Sequence, residues 1–366
     1  MSRRLFKRLL TLLAIVALAI PAVHAENDSG ASRKKLATYS VAFYNLENLF
    51  DTINNNGKYD FEFSPQGARK WDGHKYRSKL NRLAYAISQL TTRLTPDGPA
   101  VIGVSEIENE SVLNDLVAAE PIAERGLKVI HHDSPDVRGV DVGLLYNPRL
   151  FRPLKVTNHP LILPERPNFK TRDQMCVLGL LGTKETGFSR VAVIVNHWPS
   201  RRGGEKESSW LREAAAALSK SIADSLYKID PNIGVIIMGD LNDDPNNKSV
   251  AEVLGAVKDP KDVVPGGFYN PFWAKLDDGI GSYIYRGGWD LFDQIIINSN
   301  LVDGACGAKF RDANVFNNKF LLQTDGQYKG YPLRTFSAGI WMDGYSDHLP
   351  TQIFLTREVE TPHSNN

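Results

Sequence analysis

Only two cysteines, Cys176 and Cys306, occur in the 366 residues. That excludes a disulfide-dense scaffold and allows at most one intramolecular bridge, whose formation the sequence does not decide. Charge of one sign is lacking as well. Four of the 43 Lys and Arg, and none of the 42 Asp and Glu, fall in residues 1–25, so the rest of the chain carries a net charge of −3. A generally basic chain built to grip polyanions along its whole surface is thereby excluded. Long apolar runs are absent beyond the N-terminus, where Leu9 to Ile20 follows Arg3, Arg4, Lys7 and Arg8 and precedes Ala22-Val23-His24-Ala25. This is the pattern of a secretory signal peptide cleaved after Ala25, and its apolar part is too short to favour a membrane anchor. The expectation is a periplasmic or extracellular protein with no stable membrane anchor after cleavage. Internal repeats and low-complexity linkers are lacking too, so residues 26–37 read as a polar tail, 38–356 as one domain and 357–366 as a second tail.

What the chain does have is a set of short β-branched runs, each ending in polar groups. Tyr39 to Tyr44 leads into Asn45-Leu46-Glu47, Val101 to Val104 into Ser105-Glu106, and Val191 to Val195 into Asn196-His197-Trp198-Pro199. Gly234 to Met238 delivers Gly239-Asp240-Leu241-Asn242, and Leu291 to Asn298 carries Asp293 inside an otherwise apolar stretch. Such runs read as buried strands, and side chains at strand ends of an α/β sheet converge on one crevice. An Asp inside a buried strand is costly without a partner. Near the C-terminus stands Tyr345-Ser346-Asp347-His348-Leu349-Pro350. An Asp before a His, and an Asp two residues before an Asn at a strand end, are parts needed to cut a phosphate ester with a metal ion.

Between the strands, Arg77 to Gln89 and Glu207 to Leu226 have amphipathic helical periodicity. Two long segments, Asp51 to Gly73 and Pro260 to Gly288, read as functional loops. Because the polar strand ends span Asn45 to His348, one domain is the simpler arrangement. Trp71, Tyr76, Trp273 and Trp289 are candidates for a rim that stacks a base or sugar, core packing being the alternative.

The order of these motifs resembles the endonuclease/exonuclease/phosphatase superfamily. The matching segments are Tyr44 to Asn48, Ser105 to Asn109, Arg138 to Tyr146, Asn196 to Trp198, Gly239 to Asn242, Asp293 to Ile295 and Ser346 to His348. The resemblance implies a four-layer α/β sandwich, two mixed β-sheets packed face to face with helices outside, and phosphoester hydrolysis assisted by a divalent metal. Magnesium is the implied ion, with manganese or calcium as substitutes, since hard oxygen ligands suit it. Glu106, Asp347, Glu47 and Asn45 would serve the metal, with Asn45 orienting the Glu106 carboxylate or touching phosphate.

His348 would act as general base or electrostatic partner of the phosphate, oriented by Asp293. Asp240 would position or deprotonate the attacking water, Asn242 would donate its amide to a phosphate oxygen, and His197 would offer a hydrogen bond or positive charge. Tyr146, Arg201, Arg202 and Arg138 are candidate phosphate contacts, with Arg138 and Asp141 pairing to shape the adjoining loop. Bland alternatives remain: a capping role for Glu106, an Asx turn after Asp240, a packed His197 and a core Tyr146. The function expected is a monomeric, secreted phosphodiesterase acting on nucleic acid. A sphingomyelinase-like or phosphate-monoester activity is the alternative within that class, and a non-catalytic binding module the alternative outside it.

Overall fold

The computed structural model describes residues 35–54 and 60–359. The signal-like segment 1–25, most of the N-terminal tail and residues 360–366 of the C-terminal tail lie outside the described residues. Among the described residues no helix is long and apolar enough to cross a membrane.

In chain order the strands begin β1 (Lys35–Leu49), β2 (Val101–Ile107), β3 (Lys128–His131), β4 (Asp141–Tyr146), β5 (Phe151–His159), β6 (Gln174–Thr183), β7 (Gly187–His197) and β8 (Gly234–Asp240). They continue β9 (Ala256–Val257), β10 (Phe268–Tyr269), β11 (Tyr283–Tyr285), β12 (Gly288–Asp290), β13 (Asp293–Asn298), β14 (Lys309–Val315), β15 (Phe336–Ser337), β16 (Ile340–Trp341) and β17 (Thr351–Val359). Two large mixed sheets result, one ordered β14-β17-β1-β2-β4-β3 and the other β5-β6-β7-β8-β13-β10-β9. This is the expected face-to-face α/β sandwich. β1 pairs with β17 from Lys35↔Val359 inward, so residues 35–37 and 357–359, read as tail from the sequence, are paired strand.

The β-branched runs form strands because both their faces are covered. Val235, Ile236, Ile237 and Met238 are all buried, one face against the partner sheet and the other beneath the long helix. Each such side chain removed from water contributes about 1.5–3 kcal/mol. The sheets meet closely at Gly103, where a Cβ would stand 2.5 Å from Met238 Sδ. Helix Gly73–Ser88 starts earlier than the apolar periodicity suggests, because the Asp72 side chain accepts from the backbone amides of His74 and Lys75 and caps it. The second long helix, Glu205–Ile229, covers the outer face of the seven-stranded sheet through Ala215, Ala216, Ile222 and Ala223.

Candidate active site

Strand direction decides which polar ends meet. β1 and β2 are parallel, so Asn45, Glu47 and Glu106 share one end of their sheet. β17 is antiparallel to β1, and the residues just before it, Ser346 to His348, arrive at that same end. In the second sheet β7 and β8 are parallel and place His197 opposite Asp240, while antiparallel β13 pairs Asp293 with Asp240. Contacts of β1 and β2 with β8 bring these two ends together. Glu47, Asn48, Glu106 and Asn242 all adopt positive φ, between 47° and 58°. Non-glycine residues hold such conformations only where surrounding contacts over-determine them, and here they cluster at the strand ends that carry the polar groups.

His348 lies at the centre. Its Nδ1 is 2.6 Å from Asp293 Oδ2, and its Nε2 is 3.8 Å from Asp240 Oδ2 and 4.0 Å from Asp347 Oδ1. Burial works against its charged form, but the carboxylates of Asp293, Asp240 and Asp347 overcome it and hold the imidazole well above its ordinary value. That shift favours the charged ring, and with it the electrostatic role, over that of a general base. Asp240 accepts from Asn45 Nδ2 (3.0 Å) on one oxygen and from the Asn242 amide (3.0 Å) on the other. Burial pushes the Asp240 carboxyl up to about 6, with the His348 charge opposing the push and those of Asp293 and Glu106 adding to it.

His197 Nε2 stands 3.6 Å from Asp240 Oδ2 and 3.9 Å from Glu106 Oε1. Glu106 and His348 therefore reach one centre through two intervening side chains. Burial, then the charges of Arg172, Arg138 and His348, hold His197 well below its ordinary value. Of the two roles expected of it, that shift favours the hydrogen bond over the positive charge.

Glu106 accepts from the Asn48 amide (3.0 Å) and pairs with Arg138 Nη1 (3.1 Å). Burial raises its carboxyl, but the charge and hydrogen bond of Arg138 outweigh that and keep it below the usual range. Arg334 bridges two further carboxylates, with Nη2 at 2.8 Å from Asp347 Oδ2 and Nε at 3.3 Å from Glu47 Oε1.

Several expectations change in this setting. Glu47 is committed to Arg334, to the Thr335 amide (2.6 Å) and to Lys79 (3.8 Å), and its side chain is 6% exposed against 13% for Glu106 and 19% for Asp347. Asn45 orients Asp240 rather than Glu106, and its Oδ1 accepts from the Glu47 amide. The side-chain amide of Asn242 donates to Trp198 O (3.1 Å). Arg138 pairs with Glu106 instead of Asp141, whose carboxylate is held by Ser134 and His131. Arg201 turns its guanidinium to Asn242 O and to the carboxylates of Asp243 and Asp244 and stacks on Phe292, an anchor for the loop after β8 rather than a phosphate contact. Arg202 is exposed and lines a cavity of about 610 Å³ with Asn242, Tyr283, Tyr285 and Arg286.

Tyr146 lies at the far end of β4, opposite Val101, whereas Asp141 is the residue that pairs beside Glu106; it packs edge-on against Phe151. Trp71 is core, donating to Phe50 O, and Tyr76 donates to Asp115. Trp273 belongs to the short helix Phe272–Asp277, and Trp289 to the β11–β12 hairpin. Both cysteines are free.

Three contributors escaped the sequence reading, and a fourth, Ser346, was read only as part of its motif. Ser282 donates to Asp293 Oδ2 (2.6 Å) and accepts from its amide. Tyr283 stacks on the His348 ring at 4.7 Å, and Arg334 and Ser346 hold the carboxylates and the Asn45 carbonyl. The long 260–288 segment, read as functional, is the only signal that pointed toward the first two.

The acidic groups crowded here fit a hard divalent cation. Glu47 is raised by burial and by the Asp347 charge, as Asp240 is by its neighbours; a doubly charged ion on oxygen donors relieves that repulsion. Asp240, Asp293 and His348 also lie close enough to share an ion, with the Nδ1 of His348 already engaged by Asp293.

Two mixed sheets enclosing this strand-end constellation define a metal-dependent phosphoester hydrolase. The profile of the Endonuclease/Exonuclease/phosphatase family matches residues 40–357, and the chain belongs to that family. Among curated proteins none matches it. Solved structures share the fold. A family protein from Bacteroides thetaiotaomicron is 17% identical with a TM-score of 0.51, the alignment covering 89% of this chain and 100% of that one. One from Bacteroides vulgatus is 13% identical with a TM-score of 0.51, covering 88% and 99%. Truncated TDP2 of Caenorhabditis elegans is 15% identical with a TM-score of 0.50, covering 87% and 97%.

Proposed function

We propose that the protein is a secreted, monomeric phosphodiesterase that cleaves nucleic-acid phosphodiester bonds by in-line attack of an activated water. The observation that carries the reading is the pairing of Asp240 with Asp293 at adjacent strand ends, one beside each ring nitrogen of His348. Asp293 keeps the imidazole charged, so its Nε2–H is a charge-assisted donor for a non-bridging phosphate oxygen. Asp240, ionised above about pH 6, positions the water and takes its proton. Neutral His197 donates a hydrogen bond to the phosphate. Glu106 and Asp347 would hold the magnesium ion, which would supply positive charge to the phosphoryl oxygens. Nucleic acid is favoured over a lipid or a small phosphomonoester by the neighbouring cavity, where Arg202 and Arg286 lie among Tyr283, Tyr285 and Phe292. Cations beside aromatic faces suit a strand of phosphates and bases. The signal-like residues 1–25 support export.

The test is incubation of the protein, lacking residues 1–25, with supercoiled plasmid, RNA, sphingomyelin and a chromogenic phosphodiester, each with magnesium and with chelator. Plasmid or RNA is expected to be cleaved, chelator to stop the reaction, and His348→Ala to lower the rate by about 10²-fold or more. Wild-type turnover by His348→Ala would refute the assignment, and cleavage of sphingomyelin alone would move the substrate to lipid.

A further inference from the structure

Outside the catalytic centre, the connection from β3 to β4 gathers a second group of ionisable side chains. His131 Nε2 lies 3.2 Å from Asp141 Oδ2 and 4.0 Å from Asp133 Oδ1, and the three ligand atoms all fall within 4.8 Å of one another. His131 and Asp141 are buried at the base of the loop, with side chains 4% and 0% exposed, whereas Asp133 is 80% exposed and faces solvent. The other oxygen of Asp141 is taken by the amide and hydroxyl of Ser134, which fixes the carboxylate and leaves Oδ2 for the group.

The segment just before β6 closes the same side. Arg172 pairs with Asp136 of the loop at 3.1 Å, and Asp173 Oδ2 stands 3.7 Å from His132 Nε2. Asp173 is 9% exposed, and its Oδ1 has no hydrogen-bond partner among the described residues. Burial raises its carboxyl, the His132 imidazole opposes that, and the Asp141 charge reinforces it. A buried carboxylate oxygen without a donor, in a carboxylate that stands by His132 and feels the Asp141 charge, is an environment a cation relieves.

We propose that His131, Asp133 and Asp141, with Asp173 beside them, form a second cation site, selective for a zinc-class ion. The separation of His131 Nε2 and Asp141 Oδ2 matches the edge of a tetrahedron with bonds near ~2.0–2.1 Å. Imidazole is a ligand for zinc, copper, iron and nickel rather than for magnesium, so the two centres of this chain select different metals. Ser134 is the orienting partner that a metal-ligating carboxylate requires. The site has a structural consequence: the same loop carries Asp136, tied to Arg172, and Arg138, tied to Glu106. An ion joining exposed Asp133 to the two buried ligands fastens the base of the loop that delivers Arg138.

The experiment is calorimetric titration of the chelator-treated, dialysed protein with Zn²⁺ in saturating Mg²⁺. One equivalent of Zn²⁺ is expected to bind, and Glu106→Gln to retain it. Asp133→Asn, at a position exposed enough to leave folding intact, should weaken it by about tenfold or more, and His131→Asn should abolish it. If the wild type binds no Zn²⁺ under these conditions, or if Asp133→Asn binds it as tightly as the wild type does, the site is overturned; should His131→Asn fail to fold, Asp133→Asn decides alone.

Discussion

At the residue scale the centre turns on one contact, the 2.6 Å approach of His348 Nδ1 to Asp293 Oδ2. The carboxylate raises the imidazole above its ordinary value, which favours the charged form, and that form is lost as pH rises through the elevated value. Asp293→Asn keeps the shape and removes the charge. The alkaline limb of the kcat/KM profile should therefore move to lower pH, and the neutral rate should fall by about 10²-fold, measured with a chromogenic phosphodiester. An unmoved limb would show that His348 does not act as a cation. Asp293 was legible in the sequence because a carboxylate in an apolar strand demands a partner. Ser282 and Arg334 were not: neither sits in a pattern of its own, and Arg334 meets Glu47 from 287 residues away.

The elements explain the remaining successes and errors. The run ending at Tyr146 is a strand, as its pattern requires. The error was one of direction, since periodicity does not tell whether β4 runs with β2 or against it, and antiparallel pairing sends Tyr146 to the wrong end. Helix Glu205–Ile229 shows the converse: its apolar stripe was readable, but the buried Arg212 within it was not an obvious functional support. Arg212 Nε lies 2.7 Å from Asp243 Oδ1, both side chains nearly inaccessible, and Asp243 begins the loop just beyond Asn242. Arg212→Leu would leave that carboxylate with Arg201 and Ser249 as its remaining partners among the described residues. Breaking a buried pair in this way destabilises by about 3–5 kcal/mol, to be read as a lower denaturation midpoint at an unchanged m-value. A loss under about 1 kcal/mol would mean that the pair is not a principal support of this loop.

Over the whole molecule, the strand ends of both sheets concentrate acidic groups that the fold alone leaves in conflict. Asp240, raised to about 6 from an ordinary 3.8, contributes stability that is complete below pH 3.8 and is lost as pH rises through 6, so the metal-free protein carries a local penalty at neutral pH. A divalent cation reverses that sign. Magnesium at a hundredfold excess over its dissociation constant should stabilise by about 2.7 kcal/mol, visible as a rise in Tm that chelator removes. Because protons compete with the ion, the rise should shrink as pH falls through about 6. Glu106→Gln should lose it, while Asp133→Asn, altered only at the loop between β3 and β4, should keep it. A magnesium-induced rise that survives Glu106→Gln at full size would place the ion elsewhere, and with it the charge on which phosphoester cleavage at these strand ends depends.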